Sequence, residues 1–115
     1  MPDHPPHAPL RPKVFHVLLA LSQQTLHGYG LKKSILDRTE GMVDLDPGGL
    51  YRLVARLEED GLIEPAPSPE GQPDDPRRRY YALTPLGGDL LRAEARRLSD
   101  IASWADVAAL ARGEV

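Results

Sequence analysis

Arg52 and Arg56 stand one helical turn apart in the run Asp46-Pro-Gly-Gly-Leu-Tyr-Arg-Leu-Val-Ala-Arg-Leu-Glu-Glu-Asp-Gly-Leu-Ile63. Arg77, Arg78 and Arg79 open a second run, Arg77-Arg-Arg-Tyr-Tyr-Ala-Leu-Thr-Pro85. Guanidinium groups on one exposed helix face can bond guanine edges in a bidentate way, each pair worth about 1 to 3 kcal/mol of discrimination, or can bind phosphates. Arg56 has a simpler reading beside this one, a surface ion pair with Glu59 or Asp60 worth under about 1 kcal/mol. Gly48 and Gly49 either form a tight turn ahead of the helix or leave backbone N–H groups bare for a phosphate. Tyr51, on the flank, suits phosphate contact or partial burial equally. Lys32 and Lys33, in an earlier helical segment, fit phosphate contacts better than base readout.

No comparable pattern supports catalysis. The chain has no cysteine, hence no disulfide framework, no zinc thiolate cluster and no thiol nucleophile. His4, His7, His16 and His27 lack metal-ligand spacing, and His27 fits a helix cap better than a metal. Glycine-rich phosphate loops, serine elbows and paired carboxylates are also missing from the sequence, so it reads as a non-enzyme without cofactor or metal. A net charge of −3 argues against a nucleic-acid partner only until its distribution is considered. Most acidic residues lie in the segment 68–76 and the C-terminal half, while Lys32, Lys33, Arg52, Arg56 and Arg77 to Arg79 share the segments described above. The proline-rich start has no apolar run, and the longest apolar stretch, near residues 14–21, falls short of the roughly 20 residues that span a bilayer. A cytoplasmic protein is expected.

These side chains need elements to hold them. Proline at residues 12, 47 and 85 marks three helix starts. The first helix is expected over 12–24, apolar on most of its circumference. The second is expected over 29–40, closed by Gly41 in the C′ position. Asp46 is a preferred N-cap for the third, in which Leu50, Leu53, Val54 and Leu57 form one face and Gly48, Arg52, Ala55 and Glu59 the opposite one. Gly61 ends that helix, residues 62–65 read as a strand, 68–76 as a loop tip and 77–83 as the returning strand. Alternation along that strand puts Tyr81 and Leu83 inward and leaves Tyr80 and at least two arginines outward. The link 42–45 is expected to be extended and to pair weakly with these strands. A capped helix, a strand, a loop and an arginine-led strand, in that order, are the parts of a winged helix.

The run from Gly49 to Ile63, with His27-Gly-Tyr29 upstream and Arg78-Arg-Tyr-Tyr-Ala-Leu-Thr84 downstream, resembles the PadR family of bacterial transcriptional regulators over about residues 13–111. The resemblance implies a dimeric winged helix-turn-helix repressor whose C-terminal helix makes the dimer and which releases DNA when a small molecule binds. Gly49 stands where the family usually has Thr, and Arg52 where it usually has Pro, so the operator sequence does not carry over.

The expected fold class is α+β, mostly α, a winged helix-turn-helix with a C-terminal dimerisation helix. Its parts are a flexible arm (1–11), the DNA-binding domain (12–84) and the dimerisation helix (85–115). A single helix from Pro85 to about residue 112 would be roughly 40 Å long, more than the domain can bury. Leu91, Ala95, Leu98, Ala102, Ala105 and Ala109 line one side as the expected homodimer interface. Trp104 is read first as interface core and otherwise, with Phe15 and Ile101, as a wall for an apolar effector. The expected DNA-binding residues are Lys32, Lys33, Gly48, Gly49, Tyr51, Arg52, Arg56, Arg77, Arg78, Arg79 and Tyr80. The alternative is a winged helix that binds a protein and no DNA; steep salt dependence on duplex DNA separates the two.

Overall fold

Proline sets three of the helix starts. In the computed structural model, which describes residues 9–69 and 78–114, α1 spans Pro12–Gln23, and α3 (Pro47–Glu59) and α4 (Pro85–Ser103) likewise carry proline at their first position. There the absent N–H leaves nothing unpaired and φ is already helical. A two-residue strand β1 (Leu26–His27) and helix α2 (Gly28–Arg38) lie between α1 and α3; β2 (Ile63–Ala66) and β3 (Tyr80–Leu83) follow α3, and α5 (Ala105–Ala111) follows α4. The strands form one antiparallel sheet in the order β1-β3-β2, with Leu26 and Pro65 flanking Tyr81 from either side. Helices α2 and α3 make the helix-turn-helix, and β2 and β3 the wing, so the fold is a mostly helical α+β winged helix.

Helices α1 to α4 each contribute apolar residues to a single core. Val17 and Leu18 of α1 meet Leu31 and Ile35 of α2, Leu50, Val54 and Leu57 of α3, and Leu90 and Leu91 of α4. Helix α3 ends where Gly61 (φ 78°) turns left-handed; its N–H bonds the Glu58 carbonyl at 3.0 Å and that of Leu62 bonds Leu57 at 3.0 Å. This closing motif brings Leu57 and Leu62 together in the core. Helix α2 ends in the same way but earlier than expected. Glu40 (φ 53°), not Gly41, occupies C′, with its N–H on Asp37 at 3.2 Å and that of Gly41 on Leu36 at 2.8 Å.

The third strand of the sheet also differs from expectation. Residues 42–45 form no strand, because side chains of α2 and its cap serve their polar groups. Thr39 Oγ1 accepts from Val43 N–H at 3.0 Å, and Lys32 Nζ donates to the Leu45 carbonyl at 2.9 Å. Leu26 and His27 take the place beside β3 instead. The single C-terminal helix is likewise two. Trp104 adopts an extended conformation (φ −61°, ψ 136°) between α4 and α5. Ser103 Oγ donates to the Asp100 carbonyl at 2.7 Å, and Asp106 Oδ1 accepts from Val107 N–H at 2.9 Å, so polar side chains serve the junction.

Two contacts tie α4 to the rest of the domain. At its start, Thr84 Oγ1 donates to the Gly61 carbonyl at 2.6 Å and accepts from Gly87 N–H at 3.1 Å, while Thr84 N–H bonds Leu62 O at 3.1 Å. Further along, Glu94 is 2% exposed; its carboxylate accepts from Leu10 N–H at 3.0 Å and takes both arms of Arg97, at 2.6 and 2.9 Å. The segment ahead of α1 is thereby held on α4 at Leu10; residues 1–8 lie outside the described residues.

At Gly87 a Cβ would fall 2.1 Å from the Leu62 carbonyl oxygen, whereas at Gly88 it would meet only the Arg92 guanidinium at 3.6 Å. Gly88→Ala is expected to raise stability by up to about 1 kcal/mol through helix propensity. Gly87→Ala is expected to lower it by about 1 to 3 kcal/mol through overpacking against backbone. Denaturant midpoints at one protein concentration check the pair; a Gly87 variant as stable as the parent would show that α4 can shift off Leu62.

Candidate nucleic-acid interface

The polar start of α3 is what lets its other side stay bare. Asp46 Oδ2 accepts from Gly49 N–H at 2.9 Å. That bond, with the charges of Arg52 and Lys13, holds the Asp46 carboxyl below the usual carboxylate range against a smaller opposing effect of burial. It also answers one sequence expectation: the Gly49 N–H is already engaged by the cap, and only Gly48 combines an exposed position with no side chain. With Leu50, Val54 and Leu57 buried, Arg52, Ala55 and Glu59 are exposed along a ridge, and Tyr51 beside them is 78% exposed.

A cleft lies on either side of that ridge. One, of about 470 Å³, runs between α3, the start of α2 and the wing, and takes in Leu50, Tyr51 and Val54 with Lys32, Arg78 and Arg79. The other takes in Gly49 and Leu53 and faces residues 42–46 and 11–14. Of the expected DNA-binding cations, several have partners within the chain. Lys32 bonds Asp44 at 2.7 Å as well as Leu45, so it braces the 42–45 link. Lys33 lies 3.5 Å from Asp37, and Arg56 donates to Asp60 at 3.3 Å, the simpler of its two readings. Exposed pairs of the Lys33 and Arg56 kind are worth about 0 to 1 kcal/mol. Arg52 makes no ion pair among the described residues.

On the wing, Arg77 lies outside the described residues. Arg78 and Arg79 are exposed just ahead of β3. Arg79 stands 3.7 Å from Glu58 of α3 and 5.7 Å over the Tyr81 ring. Tyr80 corrects the strand alternation: it is buried, not outward. The face that alternation leaves open is covered because His27, opposite in β1, meets the Tyr80 ring edge-on at 5.1 Å. Tyr80 therefore supports the wing from beneath, and the exposed aromatics at this end are Tyr29 and Tyr51.

The expected dimer and effector residues are spread more widely. Leu91 belongs to this chain's own core, Ala109 is half-buried, and Ala95, Leu98, Ala102 and Ala105 are exposed. Phe15 packs against the core, Ile101 is half-buried and Trp104 is 56% exposed; neither cleft beside α3 includes any of the three. Sequence reading missed Glu94, whose only local sign was an Arg three residues on. It also left Arg11 in an arm and gave Lys13 no role, although both border the second cleft. Among the described residues there is no cluster of metal-ligating side chains and no helix long and apolar enough to cross a membrane.

A family model, the transcriptional regulator PadR-like family, matches residues 17–93. Over 83 residues, 72% of this chain, the sequence is 37% identical to an uncharacterized 37.1 kDa protein in transposon TN4556 of Streptomyces fradiae, of which the match spans 22% of the length. The structure is similar to a transcriptional regulator from Clostridium thermocellum, with a TM-score of 0.62 at 25% identity over 76% of this chain and 80% of that one. It is also similar in fold to Bacillus subtilis PadR in complex with operator DNA, with a TM-score of 0.59 at 20% identity over 71% of this chain and 45% of that one.

His27 caps α2 beside this interface, and its titration is expected to act on stability. Its Nδ1 accepts from Gly30 N–H at 3.1 Å and caps α2, and its pKa is lowered first by burial and then by the charge of Arg78. Folding favours the neutral ring, so the contribution to stability is present above the unfolded histidine pKa and is lost as pH falls through the folded one. Going from about pH 7.5 to about pH 5, the Tm of the parent should fall further than that of His27→Asn, whose amide caps without titrating. Equal falls would assign the pH dependence to other groups, such as His16, which is lowered by burial and by Arg38.

Proposed function

This chain belongs to the PadR-like family of transcriptional regulators, and from that premise we propose that it binds a pseudo-palindromic operator as a homodimer and represses transcription until a small-molecule effector releases it. The observation that carries the reading is the α3 ridge, with Arg52 exposed and unpaired among the described residues. An α-helix fits the major groove, where Arg52 reaches a guanine edge and Tyr51, Arg56 and the Gly48 backbone approach the same groove or its rim. Arg78 and Arg79, with Arg77, meet the flanking phosphates, and Lys33 a phosphate beside α2. The complex of Bacillus subtilis PadR with operator DNA supports carrying the partner over to this chain.

A second copy covers what this chain leaves bare. Leu98, Trp104 and Leu110 are exposed large apolar residues on or between α4 and α5, beside the exposed Ala95, Ala102 and Ala105. Pairing two copies through them about a two-fold axis sets the recognition helices near one helical turn apart, about 34 Å. An effector seated between subunits against Phe15, Ile101 and Trp104 releases DNA only if it prefers another spacing of those helices.

Fluorescence anisotropy on the duplex upstream of the gene, against a scrambled duplex at two salt concentrations, tests the central claim. Tighter, salt-dependent binding of the native duplex is expected; no binding to either duplex at low salt would favour the protein-interaction alternative. Arg52→Ala should cost about 1 to 3 kcal/mol on the native duplex and little on the scrambled one, whereas Arg78→Ala with Arg79→Ala should weaken both alike and lower the salt slope by about 2. Equal losses from both variants on both duplexes would refute that division of labour. Leu98→Glu should convert the dimer to monomer in sedimentation and weaken operator binding; an unchanged mass would move the interface off α4.

A further inference from the structure

We infer that Arg11 and Lys13, at the start of α1, hold the DNA backbone on the flank of α3 opposite the wing, so that cations bracket the recognition ridge on both sides. This rests on the DNA-binding reading above and adds to it a second backbone contact, from the start of a helix whose sequence pattern is apolar on most of its circumference.

The geometry comes from the two clefts. Going around α3, Leu50, Tyr51 and Val54 turn toward the wing and α2, while Gly49 and Leu53 turn toward a cleft of about 710 Å³ whose far wall is residues 11–14. A helix of about 10 to 12 Å fills a major groove about 12 Å wide, so the two phosphate strands that border the groove pass over the two flanks of the helix. Arg78 and Arg79 stand at one flank, and Arg11 and Lys13 at the other.

The charges on that second flank suit a phosphate strand. Arg11 and Lys13 are both exposed, and neither makes an ion pair among the described residues. The two carboxylates that border the same cleft are engaged: Asp44 is held by Lys32 at 2.7 Å, and Asp46 caps α3 through Gly49 N–H with Arg52 and Lys13 close enough to act on its charge. Among the described residues the first turn of α1 has no side-chain cap, so the N–H groups of Lys13 and Val14 add partial positive charge at that helix start.

The cations are also held in place before DNA arrives. Leu10 is tied by its N–H to the Glu94 carboxylate, which Arg97 fixes with two bonds, and Leu10 itself packs against the core. Pro12 sets the next φ. The backbone that carries Arg11 and Lys13 is therefore fixed relative to α4 and through it to α3, which is why the side chains contribute affinity without first ordering a chain.

The test uses the whole 115-residue chain with Arg11→Ala and Lys13→Ala combined, in salt titrations on the native and scrambled duplexes, with Arg11→Lys and Lys13→Arg combined as the charge-conserving control. Loss of two phosphate contacts should reduce the salt slope by about 2, so that the affinity lost between about 50 and 200 mM salt is about tenfold smaller than for the parent, on both duplexes alike. The control should keep the parent slope, and hydroxyl-radical footprints should lose protection on the strand opposite the one the wing protects. A parent with a steep slope and a double-alanine variant with the same slope would overturn this inference and leave the DNA-binding reading intact. A parent with no salt-dependent binding to any duplex would overturn both.

Discussion

The close approach of α4 to the end of α3 is the constraint on which the rest of this structure turns. With no side chain at Gly87, the first turn of α4 lies against the Leu62 carbonyl, and Thr84 binds Gly61 and Gly87 together with its hydroxyl. Gly61 and Leu62 are also the residues that close α3. One junction therefore sets both the end of the recognition helix and the direction in which α4 leaves the domain. Packed interiors transmit such displacement rather than absorb it. In the proposed dimer, a change in the angle between the two α4 helices would be passed to the two α3 helices with little loss.

Electrostatics distributes the work differently. An acidic protein that presents a basic face must keep its carboxylates from neutralising that face. Here they are placed in small local tasks: Asp46 caps α3, Asp44 and Lys32 brace the link before it, Asp60 holds Arg56, and Glu94 anchors the segment ahead of α1. Around the ridge, Arg52, Arg11 and Lys13 make no ion pair among the described residues, though Arg52 and Lys13 act on the Asp46 charge, while Arg79 has a long contact to Glu58 and lies over the Tyr81 ring. In the proposed complex, long-range repulsion from the acidic remainder would weaken binding to arbitrary polyanions, and short-range donors at the ridge would decide where the protein stays.

The misreadings follow from one cause. Period and punctuation were enough for the three proline-led helices, the Asp46 cap and the apolar face of α3, since these depend on residues within a turn of one another. They were not enough for the third strand. Residues 42–45 look as extended as 26–27, and only the side chains of Lys32 and Thr39 decide which segment has backbone groups left to pair with β3. Alternation puts Tyr80 outward because it assumes an open second face, which His27 closes. The break at Trp104 has neither glycine nor proline to announce it, and its signs were a Ser and an Asp that also occur inside helices.

The sequence by itself determined the fold class, the order of helix, strand and wing, and the exposed side of α3 with Arg52 upon it. Each of these rests on propensity, capping or helical period, which act between near neighbours along the chain. Only the tertiary structure decided that Lys32 pairs with Asp44 and Arg79 with Glu58, that Leu91 lies inside rather than at the edge, and that Arg11 and Lys13 stand beside Gly49. Those are relations between residues well separated along the chain. They arise because burying the apolar faces of α1, α3 and α4 in one core leaves a single way for the polar faces to meet.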